Sequence, residues 1–212
     1  MKKILIADDH SIVRLGASMI IQECIPDATI QQAQTYDEVY QQLRDHTFDL
    51  LLLDINMPGG NNIKVIKELL DIQPQVKILV FSSYEENIYA LRYINAGACG
   101  YLNKTTAMSE LKNAVESILT RGKYMSDSVK ELYIRKLTTS KSSFDKSNPL
   151  HKLSNREMDV AKHLTKGMGI LEVAKLMELS SSTVSTYKSR VFEKLNVNNV
   201  PELIALFNLH SE

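Results

Sequence analysis

Two short apolar runs that end in carboxylates constrain this chain more than any other feature. Ile4-Leu5-Ile6-Ala7 runs into Asp8-Asp9, and Leu50-Leu51-Leu52-Leu53 runs into Asp54. Runs of four apolar residues without polar alternation suit strands covered by helices on both faces. In an open α/β sheet, ligands gather just outside the carboxyl ends of the strands. Three carboxylates meeting there repel one another unless a divalent cation neutralises them. Hard oxygen ligands with open positions suit Mg2+, which keeps several waters and takes one or two carboxylates plus a phosphate. The feature therefore predicts metal-dependent phosphoryl chemistry.

As far as about Thr120, strand-like runs alternate with helical patterns, the signature of βα units around a parallel sheet. Strands are expected near residues 3–7, 29–33, 49–53, 77–82 and 98–102, and helices include ones near 11–23, 36–45 and 106–120. The second strand, carrying Gln31 and Gln32, belongs at an edge. Ser126 to Leu137 fits one more helix. Thr138 to Asn148 is a polar Ser/Lys/Thr stretch ending at Pro149, read as a solvated tether in preference to a phosphate-contacting arm.

From Leu153 the chain reads as helices only. Ser154-Asn155-Arg156-Glu157 fits a capping box, and Gly167 is placed to end the helix it starts. A short helix near 170–177, a turn at Leu179 to Ser182, a longer helix over about 182–195 and a last one near 200–208 follow. Two helices joined by a tight turn, the second carrying Lys188, Arg190 and Lys194, match the helix-turn-helix pattern.

Composition excludes little. Lys+Arg and Asp+Glu number 25 each, so nucleic-acid affinity must come from local patches. The apolar run after Met1-Lys2-Lys3 stops at Asp8-Asp9, too short for a signal peptide, and no stretch is long enough to span a membrane. A cytoplasmic protein without membrane partners is expected. Cys24 and Cys99 lack ligand-like spacing and read as small core residues in a reducing compartment.

Two polar residues close later strands: Ser82 after Ile78-Leu79-Val80-Phe81, and Lys104 after Gly100-Tyr101-Leu102-Asn103. A carboxylate can attack phosphorus to give an acyl phosphate if metal and cation offset the accumulating charge. Asp8-Asp9, Asp54, Ser82 and Lys104 at these strand ends resemble the five-residue site of bacterial response-regulator receiver domains. Over residues 1–122 the resemblance implies a flavodoxin-like α/β fold with a five-stranded parallel sheet. It also implies that Asp54 accepts phosphate from a sensor histidine kinase. Asp8, Asp9, Asp54 and the backbone carbonyl of Asn56 would hold Mg2+, Ser82 and Tyr101 would be switch residues, and Lys104 would bind the phosphate. Met57-Pro58 match the usual residues after the acceptor. Gly59-Gly60-Asn61-Asn62 departs from the pattern, with Asn62 where glycine is usual, although Asn also tolerates positive φ.

Leu153 to about Leu206 resembles the four-helix LuxR-type DNA-binding domain, and the order of the two domains resembles the NarL/FixJ family of transcriptional regulators. The matching residues include Leu153 to Glu157, Gly167, Glu172-Val173-Ala174 and Ser180 through Leu195. This implies a receiver at 1–122, a linker at 123–150 with a helix near 126–137, and a small all-α domain of four helices at 151–212. Ser185, Thr186, Lys188, Ser189 and Arg190 are the candidate contacts to double-stranded DNA, with pairing to Glu193 or a solvated position as the alternative for Arg190 and for Lys194. Gly169-Ile170-Leu171 replaces a usually polar segment, and Ser185 stands where many relatives carry Lys. Leu203, Ile204, Leu206 and Phe207 offer a homodimer face or a core closure. The expectation is a transcription factor, not an enzyme, switched by phosphorylation of Asp54. One competitor is an Asp-nucleophile phosphatase of the haloacid-dehalogenase type, which needs a second Asp where this chain has Asn56. Another is a receiver with a protein-binding output module.

Overall fold

The apolar runs pair as buried strands. In a computed structural model of the chain, which describes residues 1–57, 63–139 and 149–210, five strands form one parallel sheet. In chain order the elements are β1 (Lys3–Ala7), α1 (Ser11–Cys24), β2 (Thr29–Ala33), α2 (Tyr36–Asp45), β3 (Leu50–Leu53), α3 (Lys64–Ile72), β4 (Lys77–Ser82), α4 (Glu86–Asn95), β5 (Gly100–Asn103), α5 (Met108–Arg121) and α6 (Asp127–Thr139). The sheet order is β2-β1-β3-β4-β5, which places β2 at an edge as its glutamines suggest. Every residue of β3 is buried, because helices cover both faces of the sheet. Burying a Leu or Ile side chain contributes about 1.5–3 kcal/mol, so this four-leucine strand anchors the sheet's centre.

Register decides where the chemistry falls. Ala7 lies opposite both Ala33 and Leu53, and Leu53 lies opposite Val80. Ser82 lies opposite Asn103. The residues that follow β1, β3 and β5 are therefore brought to one edge. α5 ends where Gly122 takes φ +81, a left-handed value that glycine adopts without a Cβ penalty. The helix expected near 126–137 is α6, which also takes in Thr138 and Thr139, the first residues of the expected tether; the rest of that stretch, 140–148, lies outside the described residues, as do Pro58 and the Gly59 to Asn62 departure.

The chain divides into two compact units, Met1–Thr139 and Ser140–Glu212. The second holds a 3-10 turn (Pro149–Lys152), α7 (Asn155–Thr165), α8 (Ile170–Leu176), α9 (Ser181–Leu195) and α10 (Val200–His210). The capping box is present: Ser154 Oγ accepts from Glu157 N, and Glu157 Oε2 accepts from Ser154 N. Met158, Ala161 and Leu164 face the unit's core with Val173, Val184 and Val191. In α10, Leu203 and Phe207 are buried, so they close this small core, while Ile204 and Leu206 are half-buried.

Candidate metal centre and nucleic-acid interface

The sheet edge gathers Asp8, Asp54 and Lys104 into one buried group. The strand ends are tied by Asp54 N donating to Ala7 O (2.8 Å), Asp8 N to Ala33 O (3.1 Å) and Lys104 N to Ser82 O (2.9 Å). From there Lys104 Nζ reaches Asp8 Oδ2 at 2.6 Å and Asp54 Oδ2 at 2.8 Å. Both carboxylates are 2% exposed. Asp54 Oδ1 accepts from Asn56 N at 3.0 Å, and Tyr36 OH donates to Asp54 O. The buried Arg14 braces the first strand end by donating to Asp8 O at 2.7 Å.

Electrostatics follow from burial. Burial pushes the Asp54 carboxyl above its ordinary range, and Lys104 and the Asn56 N–H reverse this only in part while Asp8 adds to it. For Lys104 burial acts to lower the pKa, but Asp54 and Asp8 outweigh it and leave the ammonium more firmly protonated than usual. The group is an ammonium clamped between two carboxylates.

Asp9 sits at the rim, with His10 Nδ1 at 2.6 Å from its Oδ1. Donor atoms of Asp8, Asp9, His10 and Asp54 all lie within 4.8 Å of one another. Three carboxylates against one ammonium leave two negative charges, which a divalent cation would neutralise. With oxygen donors dominant, the set suits Mg2+ better than a softer metal.

Ser82, fully buried, accepts from Tyr84 N at 3.3 Å, and it also hydrogen-bonds the Tyr101 phenol. Tyr101 is buried, and its hydroxyl donates to Tyr84 O at 3.0 Å. Tyr84 in turn donates from its phenol to Asn56 Oδ1 and stacks on Tyr89 of α4 at 4.8 Å. Sequence reasoning missed His10, Arg14, Tyr36 and Tyr84. Only His10 carried a signal, as the residue directly after the acidic pair.

In the second unit, Ser180 caps α9 by accepting from Thr183 N at 3.1 Å. Val184, Val191 and Leu195 are buried, which turns Thr186, Ser189 and Arg190 outward, with Ser185 and Lys188 half-exposed. Thr186 Oγ1 donates to Ser182 O and Ser189 Oγ to Ser185 O, leaving both hydroxyls able to accept further bonds. Lys188 Nζ lies 5.3 Å from the Phe192 ring centroid. Lys194 pairs with Glu157 Oε2 at 2.6 Å rather than with Glu193, so it braces α9 on α7. That pairing, 37 residues apart in the chain, is a correction to the sequence reading.

A doubly wound parallel sheet with an acidic pocket at its carboxyl edge, followed by a helix-turn-helix unit, defines a two-domain regulator with a receiver and an output module. The family model of the response regulator receiver domain matches residues 4–116, and that of the bacterial regulatory proteins of the luxR family matches 151–207. The chain belongs to the response regulators of the NarL/FixJ family, DNA-binding transcriptional regulators of two-component systems. It is similar to the Fimbriae Z protein of Escherichia coli K12 (30% identical, covering 98% of this chain and 96% of that one). It is also similar to Response regulator UvrY of the same organism (28%, 99% and 95%) and to Oxygen regulatory protein NreC of Staphylococcus carnosus (29%, 95% and 94%). The RcsB response regulator of Salmonella typhimurium shares the fold, with a TM-score of 0.59 at 24% identity over 98% of each chain. No helix among the described residues is long and apolar enough to cross a membrane.

Proposed function

We propose that Asp54 is the phospho-acceptor, that a sensor histidine kinase is its donor, and that the phosphoryl group switches DNA binding by the second unit. The single observation that carries this reading is Lys104 Nζ held between Asp54 and Asp8, at 2.8 and 2.6 Å. A cation already seated against the acceptor carboxylate is where a transferred phosphoryl oxygen needs one. The receiver would span 1–122, a segment carrying α6 would join it, and the DNA-binding domain would occupy 151–212.

In the transfer, an Asp54 carboxylate oxygen attacks phosphorus of the donor phosphohistidine, the P–N bond breaks, and the histidine nitrogen leaves with the bonding pair. Lys104 then moves its hydrogen bonds from the carboxylates to a phosphoryl oxygen. Ser82 Oγ turns its proton from Tyr101 toward a second oxygen. Asp8, Asp9, Asp54 and the Asn56 carbonyl would hold Mg2+, which when bound offsets the charge gathering on the transferred group. Adding about −1.5 to −2 charges, the value for phosphoesters, pulls Ser82 and Lys104 inward and obliges the Tyr101 and Tyr84 contacts to repack.

On the output side, Ser185, Thr186, Lys188, Ser189 and Arg190 present one face of α9 to the major groove of double-stranded DNA. A homodimer would set two such helices against half-sites about one helical turn apart; one solved RcsB structure is of dimers bound to DNA. The reading is tested by incubating the chain with a small phosphodonor and Mg2+. Intact mass should rise by one phosphoryl group in the wild type and stay unchanged in Asp54→Ala. Uptake by Asp54→Ala at the wild-type rate would overturn the assignment.

A further inference from the structure

We infer that α6 is a releasable clasp on α4, docked while Asp54 is unmodified and let go when it carries a phosphoryl group; this rests on the reading of Asp54 given above. The contact is specific. Ser126 and Ser128 hydroxyls both donate to Glu86 Oε2, at 2.9 and 3.1 Å, and Glu86 is the first residue of α4. Ser126 Oγ also accepts from Val129 N, so the hydroxyl that grips α4 is the one that caps α6. Removing Glu86 from its place disturbs both bonds.

The contact is also thin. Among residues 127–135, Val129 alone is fully buried and Leu132 is half-buried, while Tyr133 and Ile134 are 40% and 58% exposed. A 13-residue helix is marginal in water without tertiary support. With so little apolar surface holding residues 127–135, this part of α6 belongs to the low-stability end of the unit, where local opening is cheap. Glu86 Oε1 is buried with no hydrogen bond among the described residues, so the docked carboxylate is held at a cost.

The clasp lies on the path that the phosphoryl site perturbs. Tyr84, two residues before Glu86, is bonded to Ser82, Asn56, Tyr101 and Asn103, and its ring stacks on Tyr89 of α4. A Ser82 hydroxyl recruited by a phosphoryl oxygen pulls on Tyr84, and the start of α4 moves with it. Glu86 then leaves the two serines, and α6 loses its tie to α4 while Ser126 Oγ still caps it.

The test is hydrogen exchange on the full chain with Mg2+, with and without acetyl phosphate, beside intact-mass measurement of phosphoryl uptake. Amides of α6 should exchange about fivefold faster or more in the phosphorylated chain, the lower end of ordinary allosteric couplings. The double variant Ser126→Ala/Ser128→Ala, and separately Val129→Ala, should show faster α6 exchange without phosphodonor. By reciprocity each should bind beryllofluoride, a reversible phosphoryl mimic, more tightly, by at most the factor by which the mimic itself opens α6 in the wild type. Phosphoryl uptake with unchanged α6 exchange would overturn the clasp and leave Asp54 standing. No uptake at all would overturn both.

Discussion

Tyr84 and Asn56 join the two loops that flank the acidic pocket: the phenol donates to Asn56 Oδ1 at 3.1 Å, while Asn56 N donates to Asp54 Oδ1 at 3.0 Å. One side chain thus links the loop after β3 to the start of α4. Tyr84→Phe should lower unfolding free energy by about 1 kcal/mol, the net worth of one hydrogen bond, and Tyr84→Ala by more, because the stack on Tyr89 goes too. Denaturant titrations of Tyr84→Phe, Asn56→Ala and the double variant check this. Strict additivity of the two single effects would show that the bond carries no coupling.

Asp54 gives a pH dependence with a definite sign. Its folded pKa is raised by burial from the ordinary 3.8, so the folded chain binds that proton more tightly than the unfolded one. The resulting stabilisation is present below 3.8 and lost as pH rises through the folded value, which leaves a cost at neutral pH. In chelator at pH 7, Asp54→Asn should therefore melt at or above the wild-type temperature, and its advantage should shrink as pH falls toward 3.8. Thermal melts over that range decide; a markedly less stable Asp54→Asn at pH 7 would contradict the electrostatic account.

Metal should reverse that order. Because three carboxylates face one ammonium, Mg2+ at 100 times its dissociation constant should stabilise the wild type by about 2.7 kcal/mol, and Asp54→Asn or Asp9→Asn by distinctly less at the same concentration. Melting temperature against Mg2+ concentration gives the comparison.

Glu157 behaves oppositely to Asp54. Burial acts to raise its pKa, but Lys194 and Ser154 N–H outweigh it and leave the carboxyl below its ordinary 4.5. Its stabilisation is full above 4.5 and lost as pH falls through the depressed value. Glu157→Gln should cost about 2 kcal/mol at neutral pH, as for hydrogen bonds to charged groups, and should flatten the acid dependence of α7. Hydrogen exchange of α7 amides at several pH values measures both.

On α9 the three basic residues Lys188, Arg190 and Lys194 should separate. Lys194→Ala removes a brace to Glu157 and should act through stability, whereas Arg190→Ala should reduce the slope of log affinity against log salt by about one phosphate contact. Lys188→Ala should weaken operator binding by about 1–3 kcal/mol if it reads a base edge. Salt-dependent binding titrations on one DNA fragment distinguish the three.

The parts of the fold that could be read from the sequence are those where local pattern and burial coincide. β1, β3 and β4 are apolar runs because helices cover both faces, and the Ser154 box declares α7 by local chemistry. α4 gives no comparable signal: Tyr89 through Tyr93 are buried consecutively, without helical periodicity, and Glu85 makes no capping hydrogen bond. The carboxylates and Lys104 were visible because they close strands. Tyr84 and the Lys194–Glu157 pair were not, since their partners are 28 and 37 residues away and only tertiary packing brings them together.

The phosphorylation switch is tested by DNA selection from a genomic library with wild type and Asp54→Ala in parallel, each with acetyl phosphate and Mg2+. A common motif should be enriched by the phosphorylated wild type and weakly or not at all by Asp54→Ala. Equal enrichment of the same sites by both proteins would contradict it.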